Sequence, residues 1–287
     1  MKTNLLLLDT YNNVEDFLAY AFSFSKYTSR KLEIKYVFDF NWMVESYNVG
    51  PGGPVDPALV AAEKNVQKEF EAAEEKLNDL AGDHVREHSA EVPYNISVSA
   101  INRIDVVQEE FEKDPDMVLL ISNRQGYSEA SGGLIGYPNL IEHVKCPVLV
   151  IPQNNPQFVM QNVVYATDYH QEDIESLKHL SSLHDQTESM KMTFLHNQEE
   201  IDFTEKLKWA GFQKLVSDET AIKNPGFELT SKKETLDAIE EFVEKNSPDL
   251  LIILKEKKGF FKQIFSSGET KGVLTHLNIP VLVYHEK

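Results

Sequence analysis

The chain of 287 residues is about twice the length of a typical single domain, so we expect two domains and keep one large domain as the alternative. Its 28 Lys and Arg residues against 46 Asp and Glu residues give a formal net charge of −18, which repels phosphate backbones and anionic headgroups and argues against nucleic-acid or membrane-surface binding. The single cysteine (Cys146), the short amino-terminal leucine run and the lack of a membrane-length apolar stretch predict a soluble cytoplasmic protein.

The first half alternates short apolar runs with longer amphipathic segments. Apolar runs without polar alternation are typical of strands buried on both faces of a parallel sheet. The predicted strands are Leu5 to Asp9, Leu32 to Phe38, Tyr94 to Ala100, Met117 to Ser122 and Val148 to Ile151. The predicted helices are about Val14 to Ser29, Pro57 to His88, Val106 to Lys113 and a short one from about Asn139. A Gly- and Pro-rich insertion, Asn41 to Asp56, is predicted to be a surface loop, with a lid as the alternative.

The second half repeats this order after a polar, Pro-containing linker, Gln153 to Gln161. Its predicted strands are Val163 to Thr167, Lys191 to His196, Glu228 to Thr230, Leu250 to Lys255 and Val281 to His285. Both halves open on an apolar run that ends in Asp, carry a matched segment (PDMVLLISN or PDLLIILKE) and close on Pro-Val-Leu-Val. This duplication predicts one domain over residues 1–152 and a second over residues 162–287.

The alternation of strands and helices predicts an α/β fold with two open, mostly parallel five-stranded sheets, each in the order 3-2-1-4-5 with helices on both faces. In such sheets a ligand binds beyond the carboxyl ends of the strands, where the strand order reverses. The residues placed there are Asp9 and Thr10 with Asn123 to Gly136 in the first half, and Asp168 with Lys255 to Thr270 in the second. Alternatively, each aspartate caps the helix that follows it.

Several of these segments together resemble the universal stress proteins, in particular the members with two fused domains. They are the two strand-end aspartates, IKYVFD (Ile34 to Asp39), PDMVLLISN, CPVLVIP and the segment from Phe260 to Glu286. The resemblance covers nearly the whole chain and implies a fold like that of the adenine nucleotide alpha hydrolases. It also implies that the two closing strands, which would otherwise be bare edges, pair antiparallel across an approximate two-fold axis.

Nucleotide-binding members of that family carry G-x-x-G, nine residues and then G-S/T after strand four, where backbone amides cradle the triphosphate. The corresponding positions of the first half are Asn123, Gly126, Gly136 and Tyr137, of which the two glycines match. Those of the second half are Leu254, Lys257, Ser267 and Gly268, and none matches. The resemblance places Asp9 and Val37 at the ribose and adenine positions of the first half, and Asp168 and Asn197 at those of the second.

Three functions stay open at this stage. The first is a regulatory or interaction protein of the stress response, an intramolecular pseudo-dimer with an unidentified protein partner and without strong catalysis. The second is an ATP-binding module or slow ATPase that uses the first half with magnesium; its missing glycine and hydroxyl predict weak binding, which Asp9→Ala or Gly126→Val abolishes. The third is a small-anion site on the lysine-rich segment of Lys255, Lys257, Lys258 and Lys262. No catalytic or metal-ligating residue is predicted, because no nucleophile elbow or metal-ligand pattern is evident.

Overall fold

The computed structural model describes residues 2–38, 57–88, 91–100, 102–123, 137–153, 155, 157–183, 190–255 and 277–286, with the backbone alone at 57–63 and 137–139. The chain divides into two compact units. The first comprises Met1–Ile121 and Gln125–Val144, and the second comprises Ser122–Arg124 and Lys145–Lys287. The predicted insertion, Asn41 to Asp56, lies outside the described residues.

The leucine run at the amino terminus forms the central strand of the first unit. This strand, β1 (Thr3–Leu8), buries five successive residues. It pairs in parallel with β2 (Lys31–Val37) on one side and with β4 (Val118–Ser122) on the other, and β2 pairs in parallel with β3 (Tyr94–Ser99). Both faces of β1 and β4 are covered, which is why these strands are apolar at nearly every position.

The described helices of the first unit are α1 (Glu15–Tyr27), α2 (Pro57–His88), α3 (Arg103–Lys113) and α4 (Tyr137–His143). Helix α3 begins about a turn earlier than the sequence predicted, because Asn102 caps it. The Asn102 side chain accepts a hydrogen bond from the backbone N–H of Ile104 at 2.8 Å. The earlier start makes Arg103 the first residue of α3. Among the described helices of the chain, none combines the length and the apolar character that a bilayer span requires.

The second unit repeats the arrangement. Its strands are β5 (Val148–Ile151), β6 (Asn162–Ala166), β7 (Lys191–Asn197), β8 (Gly226–Thr230), β9 (Leu250–Lys255) and β10 (Val281–His285). Its described helices are α5 (Gln171–Leu183), α6 (Phe203–Glu219) and α7 (Thr235–Asn246). Strand β6 pairs in parallel with β7 and β9, and parallel pairs also join β7 to β8 and β9 to β10.

The closing strands pair as the family resemblance implied. Strands β5 and β10 are antiparallel, with Val281 opposite Val150 and Val283 opposite Val148. The order 3-2-1-4-5 is confirmed in both halves, since the strands follow one another as β3-β2-β1-β4-β5-β10-β9-β6-β7-β8. The prediction of two separate sheets is wrong, because these ten strands form one sheet. The physical reason is that all four residues of β5 are buried and apolar, and the backbone groups of such an edge need a partner strand.

Candidate functional site

A buried ion pair lies at the carboxyl end of β1. The Asp9 side chain is only 2% exposed, and its Oδ2 atom lies 3.2 Å from Nη2 of Arg103, whose side chain is 13% exposed. Burial raises the pKa of Asp9 from 3.8 to about 6, and the Arg103 charge opposes this rise. Apart from the backbone N–H of Asp9 itself, no group in the described part of the chain donates a hydrogen bond to the Asp9 carboxylate. Asp9 therefore lies at the predicted strand end, but Arg103 rather than solvent faces it.

Two tyrosines and a glutamate occupy the neighbouring end of β2. The ring of Tyr11 packs edge-on against Tyr36, with centroids 5.6 Å apart, and the Tyr36 hydroxyl donates a hydrogen bond to Oε1 of Glu69 at 3.3 Å. Burial and the Glu69 carboxylate raise the pKa of both tyrosines. Val37, at the predicted adenine position, is 1% exposed and belongs to the core. Side chains of the protein itself thus fill this corner.

The remaining predicted residues of the first half lie apart or outside the described residues. Thr10 accepts a hydrogen bond from the backbone N–H of Asn12 at 3.1 Å, which makes it a turn residue. Asn123 is 7% exposed, and its backbone N–H donates to the carbonyl oxygen of Ile151 at 3.0 Å. Gly126 and Gly136 lie outside the described residues, and of Tyr137 only the backbone, at the start of α4, is described. The phosphate loop remains a prediction from sequence.

In the second unit, Asp168 differs from Asp9 in its surroundings. Its side chain is 46% exposed, and its Oδ1 atom lies 3.9 Å from Nδ1 of His196. Burial raises the pKa of Asp168, while the neighbouring His196 lowers it. Because this aspartate has no close cation comparable to Arg103 among the described residues, the two strand ends are not chemically equivalent.

A buried histidine and glutamate form the polar centre of the second unit. His196 and Glu205 are 3% and 6% exposed, and Nε2 of His196 lies 3.1 Å from Oε1 of Glu205. On its other side, Nδ1 of His196 lies 2.7 Å from the carbonyl oxygen of Thr167. A carbonyl oxygen can only accept, so Nδ1 carries a hydrogen and Nε2 is the atom that faces the carboxylate.

An aromatic cluster covers this polar pair. Tyr169, in the left-handed backbone region with φ of 63°, places its ring centroid 4.0 Å from that of His196 and 5.7 Å from those of Trp209 and Phe212. Burial and the Glu205 carboxylate raise the pKa of Tyr169. His196 holds the same sixth position of a seven-residue strand as Tyr36 does in the first unit. Both units therefore place a tyrosine from the loop after the first strand against an aromatic side chain near the end of the second strand.

Asn197, at the predicted adenine position of the second half, has its amide group fully engaged. Its Oδ1 atom accepts hydrogen bonds from the backbone N–H of Lys232 at 2.8 Å and from the hydroxyl of Thr230 at 3.0 Å. Its Nδ2 atom donates to the Lys232 carbonyl at 3.1 Å and to the Thr235 hydroxyl at 3.2 Å. These contacts use the hydrogen-bonding capacity that a base edge would need.

Asp173 is a buried acid that sequence reasoning did not single out. It is fully buried and accepts hydrogen bonds from the hydroxyls of Tyr165 and Thr167 at 2.8 and 2.6 Å and from the backbone N–H of His170 at 3.1 Å. Burial raises its pKa to about 6, and these hydrogen bonds oppose the rise. The only sequence signal was its position five residues after Asp168, in the segment that follows the first predicted strand of the second half.

The lysine-rich segment is described at Lys255 alone, which ends β9; Lys257, Lys258 and Lys262 lie outside the described residues. Cys146 is buried, and an inert thiol is the expectation for a cysteine in such a position. No cluster of three or more metal-ligating side chains occurs in the described part of the chain.

Comparison with known proteins rests on structure, because no family model and no curated protein matches the sequence. A universal stress protein from Archaeoglobus fulgidus DSM 4304 superimposes with a TM-score of 0.61 at 15% identity, over 99% of this chain and 97% of that one. The chain has the universal stress protein fold. A candidate universal stress protein from Pseudomonas aeruginosa UCBPP-PA14 and a functionally unknown protein from Pseudomonas aeruginosa PAO1 are similar at TM-scores of 0.52 and 12% identity, over 99% of this chain. In the universal stress protein fold, Asp9 and Asp168 lie just after the first strand of each half, as the sequence predicted.

Proposed function

We propose that the chain is a tandem universal stress protein that acts in the cytoplasm as a regulatory or interaction protein of the stress response, without strong catalysis. The fold similarity along 99% of the chain supports the family assignment. The observation that carries the functional part is the Asp9–Arg103 pair. The carboxylate that the family resemblance assigns to the ribose is 2% exposed and lies 3.2 Å from a guanidinium of the same unit.

Binding of a nucleotide at this carboxylate would require movement of side chains around Asp9. Val37 is 1% exposed, so a purine would also have to displace part of the packing at the end of β2. The free energy of such a rearrangement is subtracted from the binding free energy. The described residues therefore do not fit an adenine nucleotide without rearrangement.

The second unit supports the same proposal independently. Its aromatic cluster packs over His196 with a ring separation of 4.0 Å, and the Asn197 amide is engaged by its own chain. A ligand there would have to break hydrogen bonds that are already made. This favours at most one nucleotide site in the chain.

Weak, magnesium-assisted ATP binding in the first unit is the second candidate. The observation that favours it is that no described residue other than Asp9 itself donates a hydrogen bond to the Asp9 carboxylate, although its oxygens are buried. Buried acceptors without donors are uncommon, and ribose hydroxyls are donors of the right kind. The oxygens of Asp9 thus have the acceptor chemistry that ribose hydroxyls need, but the surrounding side chains block access to them.

Nucleotide extraction tests the proposal. The full chain is purified without added nucleotide and denatured, and the supernatant is analysed by ion-exchange chromatography, with Asp9→Ala purified in parallel. We expect less than about one tenth of an equivalent of adenine nucleotide from both proteins, because a weakly held nucleotide is lost during purification. Near-stoichiometric nucleotide from the wild type that Asp9→Ala removes would establish the second candidate instead.

A further inference from the structure

Helix α6 has two apolar faces. One face holds Trp209, Phe212 and Val216, which are at most 8% exposed and pack into the unit. On the rest of its surface Phe203, Leu207 and Leu215 are 75%, 57% and 46% exposed. Val159 is the one other exposed large hydrophobic residue in the described part of the chain. A surface helix needs a single apolar face for the core, so a second one indicates a binding surface.

The exposed residues lie along one line on the helix surface. Phe203, Leu207, Gly211 and Leu215 are spaced by four, and residues at this spacing lie one above another along a helix. We call these four residues the docking ridge. It spans about 18 Å at the rise of an α-helix. Its Gly211 and Leu215 end borders a groove of about 610 Å³, whose other side is formed by α5 residues including Ile174.

The glycine in the docking ridge has no role in the fold of its own unit. Gly211 lies inside α6, where glycine destabilises a helix by about 1 kcal/mol relative to alanine. A Cβ atom at this position would have nothing within 4 Å. Neither the backbone conformation nor close packing therefore requires glycine here. What a glycine provides on a helix surface is a notch that lets another backbone approach closely.

The outer edge of the docking ridge carries uncompensated positive charge. Lys206 and Lys214 are exposed, and neither has an ion-pair partner among the described residues. Lys208 is the exception on this helix, because its Nζ atom lies 3.5 Å from Oε2 of Glu205. The acidic residues Asp202 and Asp218 lie beyond the two ends of the ridge.

The groove edge is acidic by contrast, because two carboxylates there share a single ammonium group. Glu175 of α5 and Glu219 of α6 both bind the ammonium group of Lys178, at 2.9 and 3.4 Å. The unpaired charge on the outer edge of the docking ridge is thus positive, although the chain carries a net charge of −18. An acidic edge on a partner would complement it.

We propose that the docking ridge and the adjoining groove bind an amphipathic α-helix of a partner protein, whose apolar face covers the ridge and whose acidic edge meets Lys206 and Lys214. The inference deepens the proposed interaction role and rests on it. A helix suits the straight ridge of about 18 Å, whereas a small molecule in the groove would leave Phe203 and Leu207 exposed. A second copy of the chain would bring the same lysine-bearing edge against itself, and the overall negative charge opposes an anionic membrane.

The probes are two fluorescein-labelled helical peptides of about 18 residues, each with leucines along one face. One carries glutamates and the other lysines at the flanking positions. Fluorescence anisotropy with the full chain is expected to give a dissociation constant on the order of 10 μM for the glutamate peptide and at least about tenfold weaker binding for the lysine peptide.

Three variants locate the site. Leu207→Glu is expected to weaken binding of the glutamate peptide at least about tenfold, and Lys214→Glu to reduce the preference for glutamate over lysine. Val159→Glu is the matched control, since it places the same charge on an exposed apolar residue outside α6 and leaves binding unchanged. All three positions are exposed, and thermal melts verify that each variant is folded.

Several outcomes would overturn the docking surface. In the peptide assay, these are the absence of saturable binding by the glutamate peptide and an equal loss of binding in Leu207→Glu and Val159→Glu. A self-association in analytical ultracentrifugation that Leu207→Glu abolishes would indicate a second copy of the chain instead. Binding to phosphatidylcholine–phosphatidylserine vesicles that the same variant abolishes would indicate a membrane. The nucleotide extraction tests the site around Asp9 in the first unit, so its outcome does not depend on the docking ridge. Failure of the peptide assay with no nucleotide extracted would overturn the docking surface alone, while extracted nucleotide would overturn the proposed function.

Discussion

Nη2 of Arg103 lies 3.2 Å from Oδ2 of Asp9, and the two side chains are 13% and 2% exposed. The pair joins the first residue of α3 to the end of the central strand of the first unit. A buried carboxylate without a cation would be strongly destabilising, so Arg103 makes an ionised Asp9 tolerable in this position. The acid at the strand end thus has a structural partner within its own unit.

The raised pKa of Asp9 makes stability depend on pH. The pKa rises from 3.8 in the unfolded chain to about 6 in the folded one, so the folded state holds the proton more tightly and the free energy of unfolding falls as pH rises through this window. The full effect is on the order of 3 kcal/mol. Asp9→Asn removes it, and urea unfolding between about pH 3.5 and 7.5 should show the variant matching wild type at the acid end and exceeding it at neutral pH.

The comparison isolates Asp9, because Asp173, another buried acid with a pKa of about 6, is present in both proteins. A constant difference between variant and wild type at every pH would contradict the raised pKa.

Arg103→Met tests the other half of the pair. Loss of the guanidinium leaves Asp9 buried without a cation, and we expect the free energy of unfolding at pH 7.5 to fall by about 2 kcal/mol, with a smaller loss near pH 4.5, where Asp9 is protonated. Chemical denaturation measures this. The control is Lys2→Met, which breaks an ion pair to Asp116 whose side chains are 52% and 42% exposed and should change stability by at most about 0.5 kcal/mol. Equal losses at both pH values would mean that Arg103 acts through packing alone.

His196 and Glu205 should be energetically coupled, since their nearest atoms are 3.1 Å apart in a buried site. A double-mutant cycle with His196→Phe and Glu205→Leu is expected to give a coupling energy of about 1–3 kcal/mol by urea unfolding, because either single change leaves the other polar group buried without its partner. The hydrogen bond from His196 to Thr167 is lost in His196→Phe and in the double variant alike, so its contribution cancels from the coupling energy. If the losses in unfolding free energy of the two single variants add up to that of the double variant within about 0.5 kcal/mol, the contact does not contribute to stability.

Gly211→Ala should stabilise the protein. The new methyl group meets nothing within 4 Å, so the gain in helix propensity of about 0.5–1 kcal/mol is not offset by a clash. Differential scanning calorimetry should show a higher Tm. In the control Gly226→Ala, the added Cβ would lie 3.0 Å from the Thr193 hydroxyl oxygen, and no stabilisation is expected. A lower Tm for Gly211→Ala would mean that this glycine has a role within its own unit.

The positions of the strands could be predicted from sequence because their signals are local, whereas the strand order and the β5–β10 pairing were predicted from the duplication and the family resemblance. Apolar runs mark strands buried on both faces, and the duplicated closing segments identified two edges that each needed a partner. The same pairing joins the strands into one sheet, whereas both the pairing and two separate sheets were predicted from sequence.

The partners inside each site could not be predicted from sequence in the same way. Arg103 reaches Asp9 from a helix whose start depends on the Asn102 cap, and no periodic pattern links the two. No sequence pattern distinguishes Glu205 from the other acids of the chain, yet it is 6% exposed and lies 3.1 Å from His196. Long-range pairs of this kind depend on how elements pack, which hydrophobic patterning constrains only loosely.

Calorimetric titration of the purified chain with ATP and magnesium tests most directly whether the side chains of each unit occupy its strand end. The predicted result is no heat of binding, or a single weak site with a dissociation constant above about 100 μM that Asp9→Ala abolishes. Tight binding, with a dissociation constant below about 1 μM, or a second site of equal affinity would contradict the account.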